Sequence, residues 1–118
     1  MRWIAAAAVL LLAGCRWHTA TTDALGRDPR HGAAVIAQAG CGTCHSVPGI
    51  PGARGRVGPS LDHIGSQSIL VGILPNTPAN MLTWIRTPQA VRPGDAMPNM
   101  ELSEHDARDV AAYLATLR

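Results

Sequence analysis

The sequence predicts an all-α domain on three observations. Three segments open on helix start signals: Asp28-Pro29, Thr77-Pro78, and Ser103 with an acid, Asp106, three positions on. No stretch makes a convincing strand. The 118 residues leave room for one domain, yet they include no Phe and only 3% aromatics, so side chains alone struggle to fill the core.

The N-terminal segment stands outside the predicted fold. Met1-Arg2-Trp3 carries a positive charge, and Ile4 to Ala13 is an apolar run of ten residues. That is export-signal length, well short of the ~20 residues needed to span a bilayer. The run closes on Leu12-Ala13-Gly14-Cys15 and so resembles the lipobox of bacterial lipoproteins. The resemblance implies a signal peptide at 1–14 and acylation of Cys15; an ordinary signal peptide ending near a cysteine is the alternative. Several acyl chains would anchor stably where one is marginal. Residues 15–27 are polar and small, without period, and read as a lipid-anchored flexible tether with Trp17 at the membrane interface. About twelve such residues reach at most ~40 Å. The expected location is the bacterial periplasm or the outer face of the membrane.

The folded domain is expected over 28–118. Its first helix runs from Pro29 to about Ala39, capped by Asp28, with Gly32, Val35, Ile36 and Ala39 on one face and Gly40 as its stop. Directly after it comes Cys41-Gly42-Thr43-Cys44-His45. This C-x-x-C-H run is the attachment signature of a c-type haem. Two thiols at this spacing can add to the two vinyl groups of one porphyrin, and the imidazole that follows reaches the iron from one face. A thioredoxin-like motif would need flanking strands, whereas here a helical stretch precedes and a Gly/Pro loop follows. A zinc site would need a fourth ligand, for which only His63 is near. A covalently attached haem c also supplies the apolar bulk that the composition lacks. The cysteines then divide into one for lipid and two for haem, leaving none for a disulfide.

Pro48 to Ser60 is loop, Leu61 to Ile64 a short helical turn, and Ile69 to Pro75 an apolar stretch that periodicity cannot type. The second long helix starts at Thr77-Pro78, carries Met81, Leu82, Trp84 and Ile85, and stops before Pro88. The last helix follows Ser103. Ala107, Val110, Ala111, Leu114 and Leu117 form its buried stripe, with Glu104, Asp106 and Asp109 near its positive end and Arg118 closing the negative end.

In this order the segments resemble class I c-type cytochromes, the likeness running from Asp28 to Arg118. Val57-Gly58-Pro59-Ser60-Leu61, Asn76-Thr77-Pro78, Trp84-Ile85 and Pro88-Gln89 are closer still to the cytochrome c domain on subunit II of some haem–copper oxidases. The resemblance implies first and last helices crossing beside the haem, with Gly32 and Ile36 meeting Tyr113 and Leu114. It implies His45 as one axial ligand and Met97, in Pro93-Gly94-Asp95-Ala96-Met97-Pro98, as the other. Met100 is the rival ligand, and its alternative is core packing. The Pro59 carbonyl would accept from His45, and the Trp84 indole would meet a haem propionate, unless it is a plain core aromatic. Arg54 and Arg56 either ring the haem edge or are incidental loop charges. His63 is the bis-histidine alternative, while His18 and His31 are expected to face solvent, and His105, in the first turn of the last helix where the dipole disfavours a cation, is expected to have no functional role.

The net charge of +2 gives no nucleic-acid footprint. The function implied is a membrane-tethered monohaem electron carrier, not an enzyme, working by outer-sphere transfer in a respiratory chain. Its partners would be a quinol-oxidising complex or dehydrogenase as donor and a terminal oxidase as acceptor. The alternatives are an open-site haem enzyme or gas sensor, and a fixed electron-input subunit of an oxidase or dehydrogenase.

Overall fold

A computed structural model of the chain describes residues 27–118; the expected signal peptide at 1–14, Cys15 and nearly all of the expected tether at 15–27 lie outside the described residues. Four α-helices follow in order: α1 Pro29–Gln38, α2 Pro78–Arg86, α3 Pro88–Val91 and α4 Glu104–Leu114. The caps are local and explain the three longer starts. The Asp28 carboxylate accepts from the Arg30 and His31 amides, the Thr77 hydroxyl from Asn80, and the Ser103 hydroxyl from Asp106. Each ties down amides that the first turn leaves without a helical partner. At α1, Gly40 ends the helix region in the left-handed conformation, φ 75°, and turns the chain into a 3-10 turn at Cys41–Thr43.

The core sits where α1 crosses α4, and α2 also packs against α4. Gly32 permits the crossing. A Cβ there would overlap the Asp109 carbonyl and lie 2.9 Å from the Val110 nitrogen, so the two backbones touch at this point. Gly32 itself meets Asp109–Val110, while Ile36 and Leu114 share the core cluster against which Tyr113 packs. Tyr113 also reaches across to donate to the Pro48 carbonyl in the loop that follows the cysteine motif. Val35, Ile36, Val47, Ile50, Leu70, Met81, Ile85, Val110 and Leu114 are all buried. No buried core side chain among the described residues is aromatic.

Four expectations need correction. A two-stranded antiparallel hairpin, β1 Ile69–Leu70 with β2 Leu74–Pro75, stands where no strand was expected. Its turn holds Val71 at φ 47° and Gly72 at φ 76°, a conformation that a valine seldom adopts and that no local signal announced. Pro88 does not merely end α2: a proline also suits the first turn of a helix, and α3 begins there. The expected turn at 61–64 is present, closed by the Ile64 amide on the Leu61 carbonyl at 3.2 Å, and it runs on into a 3-10 turn at Ile64–Ser66, where the Asn76 side chain donates to the Ile64 and Gln67 carbonyls. Arg118 lies beyond the end of α4 and closes nothing. Finally, Asp109 was expected near the positive end of the last helix but lies beyond its first turn, where it is buried and paired with His31.

Candidate functional site

The Cys41–His45 segment leaves α1 as a tight turn, with the His45 amide donating to the Cys41 carbonyl at 2.9 Å. Neither cysteine takes part in a disulfide, and both are half-buried. The following loop folds back over this turn and is stitched to its backbone. Gly55 donates to the Gly42 carbonyl at 3.0 Å, Gly58 to the Cys44 carbonyl at 2.8 Å, and Leu61 to the Ser46 carbonyl at 2.9 Å. Gly58 comes so close that a Cβ would overlap the His45 ring carbon and stand 2.7 Å from its Nδ1. The ring is therefore held on one side by bare backbone.

His45 Nδ1 lies 2.7 Å from the Pro59 carbonyl. A carbonyl can only accept, so Nδ1 carries the proton and Nε2 keeps the lone pair that a metal needs. The same hydrogen bond fixes the ring orientation and makes the imidazole a better donor to a metal. Burial pushes the Cys41 thiol above its ordinary range; its own backbone amide pulls it down, and the neighbouring Cys44 adds to the rise. Cys41, Cys44 and His45 belong to no convergent cluster of three metal-ligating side chains among the described residues, so the zinc reading lacks its ligand set. The thioredoxin-like reading fails on the absence of flanking strands, since α1 precedes the motif and loop follows it.

Met97 lies half-buried in the loop between α3 and α4. Gln89, in the first turn of α3, organises this loop. Its amide nitrogen donates to the Asp95 carbonyl at 2.7 Å and to the Met97 carbonyl at 2.8 Å, and its oxygen accepts from Gly94 at 3.0 Å. The Asp95 carboxylate accepts from the Met97 amide at 3.0 Å. Sequence reasoning noted Gln89 only as part of a likeness and missed its role. The available signal was a Pro-Gln pair opening a helix just before a Pro/Gly loop, too generic to assign. Met100 is also half-buried. The Trp84 side chain is half-buried, and its indole makes no hydrogen bond among the described residues. His63, Arg54 and Arg56 are exposed.

Two thiols at C-x-x-C spacing, a metal-ready imidazole beside them and a small all-α scaffold define a c-type haem protein. The chain belongs to the cytochrome c family, whose model matches residues 30–118. It is similar to cytochrome c oxidase subunit 2 of Alkalihalophilus pseudofirmus, 34% identical over 88 residues that cover 74% of this chain and 25% of that protein. It is also similar to cytochrome c oxidase subunit 2 of Bacillus sp. strain PS3, 30% identical over 82 residues, covering 66% of this chain and 23% of that protein. The chain thus spans about a quarter of the length of these relatives. Its fold is that of a class I cytochrome c, and its cofactor is a covalently bound haem c, with Cys41 and Cys44 in the attachment motif.

Proposed function

We propose that this chain is a membrane-tethered monohaem cytochrome, not itself an enzyme, that carries single electrons by outer-sphere transfer in a respiratory chain toward a terminal oxidase. The observation that carries this reading is the C-x-x-C-H turn with His45 oriented by Pro59 inside a cytochrome c domain. The haem supplies a one-electron iron couple. His45, through Nε2, and Met97, through its sulfur, are the residues that would hold the iron. A thioether ligand favours the ferrous state and raises the potential relative to a second imidazole. The Gln89 bonds restrain the Met97 loop before it binds anything, so ligation needs little reordering. The Trp84 indole is free to donate to a haem propionate, Met100 packs, and His63 stays off the iron. Acylation of Cys15 would confine the domain to the outer face of a membrane. Residues 15–27 would then raise its effective concentration near membrane partners, so modest affinity would suffice.

A second reading, a fixed electron-input domain of an oxidase, is favoured by the two oxidase subunit 2 relatives. Purification from its native membrane separates the two: a carrier runs alone in mild detergent, and a fixed subunit runs with haem–copper oxidase chains.

The test of the site is the absorption spectrum of the haem-loaded protein, oxidised and reduced, with and without carbon monoxide. The expected result is a ferric iron–sulfur charge-transfer band and a ferrous spectrum that carbon monoxide leaves unchanged. Met97→Leu should lose that band and bind carbon monoxide, whereas Met100→Leu should do neither. Rapid carbon monoxide binding by the unaltered protein would remove Met97 from the iron and favour an open-site haem enzyme or gas sensor.

A further inference from the structure

A second cluster of ligating side chains stands at the α1–α4 crossing, apart from the cysteine motif. His105 and Asp109 are four residues apart on α4, so they share one helical face. His31 approaches them from α1. Both imidazoles converge on a single oxygen: His31 Nδ1 lies 2.7 Å and His105 Nε2 3.4 Å from Asp109 Oδ2. The rings themselves are 5.5 Å apart between centroids. One ligand atom from each of the three residues falls within 4.8 Å of the others, the one such grouping among the described residues.

We propose that His31, His105 and Asp109 form a binding site for a divalent transition metal of the zinc class, bridging α1 and α4. Two neutral imidazoles and a carboxylate are a donor set that suits zinc, with water completing a tetrahedron. Ligand atoms of such a tetrahedron stand roughly 3.3 Å apart, given bonds of about 2.0–2.1 Å. The His105–Asp109 separation already has this value. The His31–Asp109 separation is a hydrogen-bond distance and must open by roughly half an ångström as the proton on Nδ1 gives way to the metal.

The surroundings suit that exchange. The Asp109 side chain is only 2% exposed, and its other oxygen accepts from the Asp28 amide at 2.9 Å, which fixes the carboxylate plane. Asp106 Oδ1 stands 3.8 Å from His31 Nε2, placed to receive the proton on that nitrogen once Nδ1 binds metal. Such a carboxylate behind a ligating histidine steadies the ring and strengthens it as a donor. The His105 side chain is 73% exposed, which leaves the ion an open route from solvent. A staple between helices would need only His31 and Asp109; the convergence of His105 on the same oxygen is what a ligand site adds.

The experiment is calorimetric titration of Zn²⁺ into the full-length, haem-loaded protein in detergent, so that His45 is already engaged. One saturable site per chain in the micromolar range is expected. His105→Ala should weaken it by at least ~10-fold, the smallest usual cost even for an outer partner of a metal site. His63→Ala should leave it unchanged. Because His105 is largely exposed, its variant should melt at the unaltered protein's temperature without metal, but should not share the rise in melting temperature that Zn²⁺ produces. No saturable binding below millimolar Zn²⁺, equal affinity in His105→Ala, or loss of binding in His63→Ala would each overturn the proposal.

Discussion

Gln89 commits both ends of its amide to one loop, and at the scale of single residues it has the largest unread effect. Three hydrogen bonds at ~0.5–1.5 kcal/mol each hold the Met97 segment against α3. In Gln89→Ala that loop should loosen, with a stability loss of about 1–3 kcal/mol and measurable carbon monoxide binding by the ferrous protein. Carbon monoxide kinetics indistinguishable from the unaltered protein would count against a restraining role. Asp109 makes a second prediction, this one about acid. Burial pushes its carboxyl up, but the Asp28 amide, the His31 hydrogen bond and the charges of His105 and His31 outweigh burial and hold it below the usual range. A carboxylate with a lowered folded pKa stabilises fully above its unfolded value, ~3.9, and loses that contribution as pH falls from there through the folded value. Asp109→Asn should therefore be less stable than the unaltered protein by ~1–3 kcal/mol at neutral pH, and the gap should close below about pH 4. Urea melts of both proteins across that range would measure it. Neither role was legible in the sequence. Asp109 reads as one more acid near a helix start until α1 sets Asp28 and His31 against it.

At the scale of elements, what was local was legible and what was tertiary was not. Asp28, Thr77 and Ser103 announced their helices because a cap and its amides lie within one turn of each other. The hairpin at 69–75 escaped notice because its turn depends on Val71 accepting positive φ, which the surrounding packing imposes. Helix α3 escaped because a proline reads equally as a stop and as a first-turn residue. The pattern Gly32–Ile36 named the face of α1 at the crossing, but not that Gly32 itself would lie against Asp109–Val110. Gly32→Ala tests that contact. A methyl group against the Asp109 carbonyl must push the helices apart, and the expected loss is about 3 kcal/mol, the upper part of the usual overpacking range. A denaturant melt that moves by less than about 1 kcal/mol would show that the crossing yields at little cost.

For the whole molecule, the composition forecast a core that side chains do not complete. The buried hydrophobic core residues are Val, Ile, Leu, Ala and Met, with no aromatic among them in the described residues. The haem is accordingly expected to act as a core element, so the chain made without haem should lose most of its helical circular dichroism. A haem-free chain that melts cooperatively near the holoprotein's temperature would refute this. The C-x-x-C-H motif was legible because five consecutive residues carry it, whereas the Met97 loop draws on Gln89, Gly94 and Asp95 across a bend. The amide of Asp28, clamped by Asp109, also has a mechanical meaning. Asp28 stands where the N-terminal segment meets the domain, thirteen residues before Cys41. Were Cys15 anchored as proposed, a pull along that segment would be shared with α4 through this bond and the helix crossing behind it. The pair would act as strain relief does on a cable, keeping the load off the haem attachment.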